Sequence, residues 1–549
     1  MKSSVLQVHP DDTVLVALCD LPKGSKIFWE AATCQVRELI PVKHKFSIIH
    51  HDPGDEVIMY GVVIGKATQK IKAGDRITRE NVQHATSHEQ AVPGKAVWGA
   101  PDTKRFEGRT FLGYHREDGK VGTRNYWLVF PLVFCENRNV KVLEDSLLTQ
   151  LGYNTRTQHS LNIQPLIQKY QSGAETQDIL AVNLIEQSPG PPPNRFFSNV
   201  DGIKFLKHQG GCGGSPQDSE TLCRLLAGYI NNPNVAGATV LSLGCQHAQM
   251  ELMQQSLDAF DVSGKPVIML EQQQHPSERE FLEEAIRQTF AGLMQANTCQ
   301  RKPASLSKLV LGLECGGSDG FSGITANPAL GYTSDLLVAI GGTSILSEFP
   351  ELNGVEQDLI RRSVDQQTAD KFRKLMDAYS DHAAAVGSGF DLNPSPGNIR
   401  DGLITDAMKS AGAARKGGTS PVTDVLDYTE QATKSGLNLL CTPGNDVEST
   451  TGLAGSGANM IVFTTGLGTP TGNPIAPTIK FSTNTMLYNR MRDLIDLDAG
   501  TIVGGEDTLA SKGEELLELI IRVASGEVWT QAERLCQDDF IPWKRGVSL

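Results

Sequence analysis

The chain has 549 residues, 39% of them hydrophobic and 21% charged, with a net charge of −13. That length exceeds what one hydrophobic core organises, so roughly two to four domains are expected. The acidic balance excludes a nucleic-acid surface, which needs a basic stripe, and no apolar run reaches the roughly 18 residues that span a bilayer. Met1–Leu6 and the residues after it lack a basic-then-apolar leader pattern, and the ten cysteines are too dispersed for a secreted disulfide scaffold. Reduced thiols in the cytoplasm are the expectation, which makes cysteine a candidate metal ligand.

Residues 1–90 read as a small β-rich module. Val14–Leu18, Lys45–Ile49 and Glu56–Tyr60 are strand-like and are separated by the turns Pro22-Lys23-Gly24 and Pro53-Gly54-Asp55. Ile71–Thr78, followed by Asn81-Val82, resembles the closing stretch of SAF-type domains, small folds found in sugar-acid enzymes. Residues 91–107, with Pro93-Gly94 and Pro101-Asp102, form a polar linker. From 108 to 300 the texture is α/β, with helical spacing in Ser219–Ile230 and Glu278–Met294 and an exposed loop at Ser188–Pro193. A polar break at Asn297–Ser307 leads to a second α/β unit, 301–549, with strands at Lys308–Leu313, Leu437–Leu440 and Met460–Thr464 and a helix over Ser511–Ala524. The fold class is therefore α/β: the β-rich module, then two Rossmann-like domains. No G-x-G-x-x-G stands where a dinucleotide would need it.

Four cysteines share one context. Cys135, Cys212, Cys245 and Cys315 each close an apolar, strand-length run and open a polar or glycine-rich loop. In a parallel sheet, ligands bind at the carboxyl ends of strands, so these thiols are expected to face one crevice. Thiolates suit iron or zinc, and three cysteines with one open position also suit an iron–sulfur cluster. The competing reading is that each is a small buried hydrophobe. His208, four residues before Cys212, is a candidate ligand or proton carrier; His247 and His44 are weaker ones, and each could instead be a half-buried histidine bonded to backbone. Glycine-rich turns such as Lys416–Thr419, Thr442–Asp446 and Thr464–Pro470 can present N–H groups to an anion, with Lys416 and Lys480 adding charge. Glu348, Glu351 and Glu356 follow a strand-like run, but a helix starting there puts Glu351 and Glu356 on different faces, so they are not a ready-made pair; if the strand-end cysteines are only packing, the metal is to be sought among His208, Asp319, Glu348 and Glu351.

Gly119–Asn125, His208–Cys212, Leu243–Cys245, Cys315–Pro328, Asn393–Asn398, Thr442–Asp446, Thr464–Pro470 and the ending Asp538–Lys544 together resemble the altronate/galactarate dehydratase family. The resemblance runs in order over nearly the whole chain, and the Thr442–Asp446 and Phe540–Lys544 segments look closer to its altronate branch. It implies metal-dependent dehydration of D-altronate to 2-dehydro-3-deoxy-D-gluconate, with ferrous or manganous ion and a dimeric assembly. It also implies substrate contacts among Arg124, Asn125, Ser318, Asp319, Thr325, Asn327 and Lys416. For the base that takes the C2 proton the order is His208, then Lys45 or His44 if the N-terminal module closes over the site, then Lys416. The alternatives are galactarate dehydration, sulfite elimination from a sulfo-acid, and a non-catalytic sugar-acid-binding protein.

Overall fold

In a computed structural model the described residues are 3–29, 32–85, 92–94, 98–153, 161–185, 194–260, 262 and 264–546. The Pro189–Pro193 loop and parts of the 91–107 linker lie outside them. The N-terminal module is built from short antiparallel strands. One sheet pairs Val14–Ala17 with Val5–Leu6 and Lys45–Ser47, another pairs Val62–Ala67 with Glu56–Met59 and Val82–Gln83, and Lys26–Trp29 forms a hairpin with Ala32–Gln35.

Two all-parallel sheets follow. The smaller contains β1 (Tyr126–Pro131), β2 (Gly202–Phe205), β3 (Val235–Ser242) and β4 (Val267–Glu271), in the order β2-β1-β3-β4. Their near-continuous apolar sequence is what burial on both faces demands. The larger contains β5 (Val310–Cys315), β6 (Thr343–Leu346), β7 (Val422–Leu426), β8 (Gly436–Leu440), β9 (Met460–Thr465), β10 (Thr478–Ser482) and β11 (Leu497–Asp498). Its order is β7-β8-β6-β5-β9-β10-β11. The chain moves to one side of β5 through β6 and returns on the other side with β9, so a topological switch point lies at the carboxyl ends of β5 and β9. Arg301–Ser305 pairs antiparallel with Thr110–His115, and Ala304 and Phe111 join the core of the last unit.

One core cluster runs through both sheets, joining Leu128 and Val240 to Ile345, Leu453 and Ile461. Helix α1 (Pro216–Asn231) crosses close to the later helix over Asp446–Gly455, because Gly228 faces the Gly455 carbonyl with no room for a Cβ. Behind the strands, Asn234 donates to the carbonyls of Asn459 and Ile475 at 2.9 and 2.7 Å. These bonds satisfy backbone groups that burial would otherwise leave unpaired. The N-terminal module also shares a core with the last unit: Val14, Val57 and Ile64 pack with Phe321, Ile324, Leu403, Ile404 and Met408. Among the described residues no helix is long and apolar enough to cross a membrane.

Candidate active site

Strand β5 ends in Glu314-Cys315, and both side chains are buried. Next to it, β6 runs into Glu348, which adopts a left-handed backbone conformation (φ 68°) while fully buried. A non-glycine residue there costs about 1–3 kcal/mol and persists only where neighbours hold it. The holder is Thr442: its hydroxyl accepts from the Glu348 N–H (2.8 Å) and its carbonyl accepts from the Phe349 N–H (3.1 Å). The short 3-10 turn Phe349–Leu352, started by Pro350, then brings Glu351 back beside Glu348. Helix α2 (Asp406–Ala414) supplies Lys409, and the turn after it supplies Lys416. Helix α3 (Asp446–Gly455) brings Asp446 to the same place, and Gly316 leaves the space for its carboxylate, since a Cβ there would collide with it.

These groups touch. The Lys416 Nζ lies 2.8 Å from the Cys315 Sγ and 2.6 Å from Glu348. The thiol lies 3.4 Å from Glu351 and 3.7 Å from Glu348. Lys409 bonds Glu351 at 2.5 Å and the Asn393 side chain at 2.6 Å. Glu314 accepts from Ser449 (2.6 Å) and Ser347 (3.1 Å). Ligand atoms of Cys315, Glu348 and Glu351 gather within 4.8 Å of one another, as do those of Glu314, Glu348 and Asp446.

Four carboxylates thus meet two ammonium groups in a buried space, and the surplus negative charge has to be relieved. Burial and the neighbouring Glu348 push the Glu314 carboxyl far up, and burial with Glu348 and Glu351 pushes Asp446 up to about 7. Burial also raises the Cys315 thiol, despite Lys416. Lys416 is desolvated too, yet Cys315 and the carboxylates around it hold its pKa well above the usual value. One oxygen each of Glu314 and Glu348 is buried with no hydrogen-bond partner. Orphaned oxygens, excess anionic charge and a mixed thiol–carboxylate donor set fit a divalent transition metal, with iron suited to the sulfur and manganese to the oxygens.

The N-terminal module docks beside this cluster. Lys43 pairs with Asp319 at 2.9 Å and Asp401 at 3.2 Å. Lys45 is buried and donates to the Gly402 carbonyl at 2.8 Å; burial brings its pKa down to about 7. Between the module and the last unit lies a cavity of 720 Å³ lined by His84, Arg79, Asn353, Asp391 and Asp406 among others. Asp406 on this wall is one helical turn from Lys409, which bonds Glu351.

The expected site residues separate into groups. Lys416 and Cys315 lie in the cluster. Asp319 anchors Lys43, and its other oxygen accepts from the Phe321 N–H and the Ser322 hydroxyl. Ser318 is buried beside it, its carbonyl accepting from Asn398. The Thr325 hydroxyl donates to the Thr483 carbonyl, and Asn327 bonds Thr464 and the Gly412 carbonyl. Arg124 is fully buried in a two-point pair with Glu533 (2.7 and 3.0 Å), also donates to the carbonyls of Thr123 and Val523, and lies over the Trp529 ring. Asn125 donates to the Asn199 and Ala296 carbonyls. The polar groups of Arg124 and Asn125 are therefore engaged with protein, which corrects the expectation that they contact substrate. His208 is corrected in the same way as a base: one ring nitrogen bonds the Pro131 carbonyl at 2.7 Å, the other accepts from the Gly210 N–H, and burial lowers its pKa to about 4. His44 bonds the Val42 carbonyl at 3.3 Å, and burial lowers its pKa.

The expected common crevice of Cys212, Cys245 and Cys315 is also corrected, because Cys315 stands on the larger sheet while Cys135, Cys212 and Cys245 follow strands of the smaller one. The sequence offered Glu348 and Glu351 only as a fallback for the metal, because Glu351 was weighed against Glu356 and the tight turn that pairs it with Glu348 was not expected. The signal was Pro350, two residues after Glu348 and suited to opening a tight turn.

Three family models match the chain: the altronate/galactarate dehydratase SAF domain over 3–85, the D-galactarate dehydratase/altronate hydrolase second domain over 113–297, and the D-galactarate/altronate dehydratase C-terminal domain over 306–548. The chain is 33% identical to an altronate dehydratase of Bacillus subtilis, with all of both chains covered. It is 32% identical to an altronate dehydratase of Escherichia coli, over 99% of each chain. To the galactarate dehydratase (L-threo-forming) of Escherichia coli it is 31% identical, over 96% of this chain and 94% of that one. With every segment matched in order and its full length aligned, the chain belongs to the altronate/galactarate dehydratase family and is an enzyme, a hydro-lyase.

Proposed function

We propose that the chain dehydrates a six-carbon sugar acid, D-altronate in preference to galactarate, to 2-dehydro-3-deoxy-D-gluconate, using ferrous or manganous ion. The observation that carries this reading is the buried Cys315–Glu348–Glu351 cluster at the sheet's switch point; a cavity large enough for a hexonate opens nearby, lined by Asn353 and Asp406. Taking the proton alpha to a carboxylate builds a doubly charged enediolate, and the site must stabilise it. Cys315, Glu348 and Glu351 would hold the ion, which supplies Lewis-acid stabilisation of that charge. Lys416 and Lys409 stay protonated among their carboxylates and add fixed positive charge. Of the bases expected from sequence, Lys45 is our candidate for the C2 proton: burial brings its pKa down to about 7, and its Nζ, bonded here to the Gly402 carbonyl, would have to be released to reach that proton.

The altronate preference rests on the two altronate dehydratases being marginally more similar than the galactarate enzyme. The test is a keto-acid assay without oxygen, with ferrous ion and reductant, over a panel of aldonates and aldarates. D-Altronate is expected to turn over fastest. Equal or faster turnover of galactarate overturns the substrate assignment, and absence of keto acid from every hexonate and aldarate overturns the reaction.

A further inference from the structure

The smaller sheet carries a second concentration of metal-ligating groups, distinct from the carboxylate cluster. Strands β2, β1 and β3 are parallel neighbours, and the loops leaving their carboxyl ends carry Cys212, Cys135 and Cys245. Backbone bonds draw these loops together around Gly210-Gly211. The Phe134 N–H donates to the Gly210 carbonyl at 3.1 Å, and the His247 and Ala248 N–H groups donate to the Gly211 carbonyl at 3.0 and 3.1 Å. Gly211 has φ 97° and lies so close to the Leu132 carbonyl that a Cβ would collide with it, so glycine is required for this convergence.

The thiols themselves do nothing else. All three are exposed, and among the described residues none makes a hydrogen bond, although cysteine is one of the residue types most often buried. Nor are they gathered for a single ion. Tetrahedral zinc at about 2.3 Å from each sulfur brings sulfurs to about 3.8 Å of one another, whereas this trio does not assemble within 4.8 Å. An iron–sulfur cluster, whose irons stand apart, takes its thiolates at wider spacing. Beside Cys212 opens a cavity of 570 Å³, walled by His208, Asp218, Glu448, Trp543 and Lys544.

We propose that Cys135, Cys212 and Cys245 hold a [4Fe–4S] cluster through three thiolates, with the fourth iron open toward this cavity for an oxygen ligand of a small acid. The proposal does not depend on the altronate assignment. Full-length protein, purified without oxygen and incubated with ferric ion, sulfide and dithiothreitol as the reductant, is expected to bind about four labile sulfides per chain and to gain broad visible absorption. Labile sulfide is the diagnostic, because iron alone also reports the Cys315 site. Cys135→Ser, Cys212→Ser and Cys245→Ser should each lose the sulfide while melting like the wild type, since the side chains are exposed; Cys315→Ser and Cys19→Ser should keep it. Mild oxidation should give the electron paramagnetic resonance signal of a three-iron cluster, the mark of an iron without a protein thiolate. Iron without labile sulfide, full sulfide in all three variants, sulfide lost in Cys315→Ser, or a disulfide between two of the three each overturn the proposal.

Discussion

Both parallel sheets deliver cysteine to the carboxyl ends of their strands, but what surrounds the sulfur differs. At the larger sheet, β6, the turn after α2 and the start of α3 bring Glu348, Glu351, Lys416 and Asp446 around a buried Cys315. At the smaller sheet, three exposed thiols stand on loops shaped by Gly211, Gly213 and Gly244, all at positive φ. The same local signature, an apolar run ending in cysteine, thus stands in two kinds of surroundings. The residues that neighbouring strands contribute decide which: charged side chains make a desolvated, high-field site, and glycines make an open one.

The sharpest way to break this contrast is at Glu348. Glu348→Gln keeps the shape but removes a charge that Lys416 and the cluster rely on, so turnover should fall by more than about 100-fold, with metal retention falling in parallel. Retained metal and turnover would mean that the larger sheet does not carry the reaction. The next largest effect concerns Arg124, at the amino end of β1, opposite the thiol edge. Arg124→Met strands a buried Glu533 and should cost about 3–5 kcal/mol in denaturant unfolding, with KM unchanged for protein that remains folded.

The same pair sets an acid limit. Burial alone would raise the Glu533 carboxyl, but Arg124 outweighs it and holds the folded pKa below the ordinary value. Its contribution is therefore complete above about pH 4.3 and is lost as pH falls through the depressed folded value. Stability measured against pH should show that loss in the wild type and not in Arg124→Met. The smallest effect is in thiol accessibility. In metal-free native protein a thiol reagent should react quickly with Cys19, Cys135, Cys212, Cys245 and Cys536, and Cys315→Ser should leave that fast fraction unchanged.

Much of the architecture was legible in the sequence because local pattern and tertiary role agree. The runs at Leu437–Leu440 and Met460–Thr464 became β8 and β9, and Ser219–Ile230 lies within α1. Of the carboxylate cluster, only Glu348 and Glu351 were legible, and those as a fallback for the metal. Glu314, Glu348, Asp446 and Lys416 are far apart in the chain, and only strand order brings them together. Glu348 also sits in a backbone conformation that no propensity favours. Arg124 and Asn125 were expected at the substrate only because the resemblance runs through them, yet their polar groups are engaged with protein, as buried polar groups must be.

The shared core between the N-terminal module and the last unit has a consequence for biosynthesis. The Thr405 hydroxyl donates to the Ile64 carbonyl across 341 residues of chain, and Leu403, Ile404 and Met408 cover the module's apolar face at the same place. Translation at about 5–20 residues per second leaves that face without its cover for on the order of tens of seconds. The nascent module therefore has to hold its own short strands together and resist sticking to other chains through that interval. A fusion or truncation that delays the arrival of residues 403–408 should shift newly made protein toward the insoluble fraction without altering the enzyme that does mature.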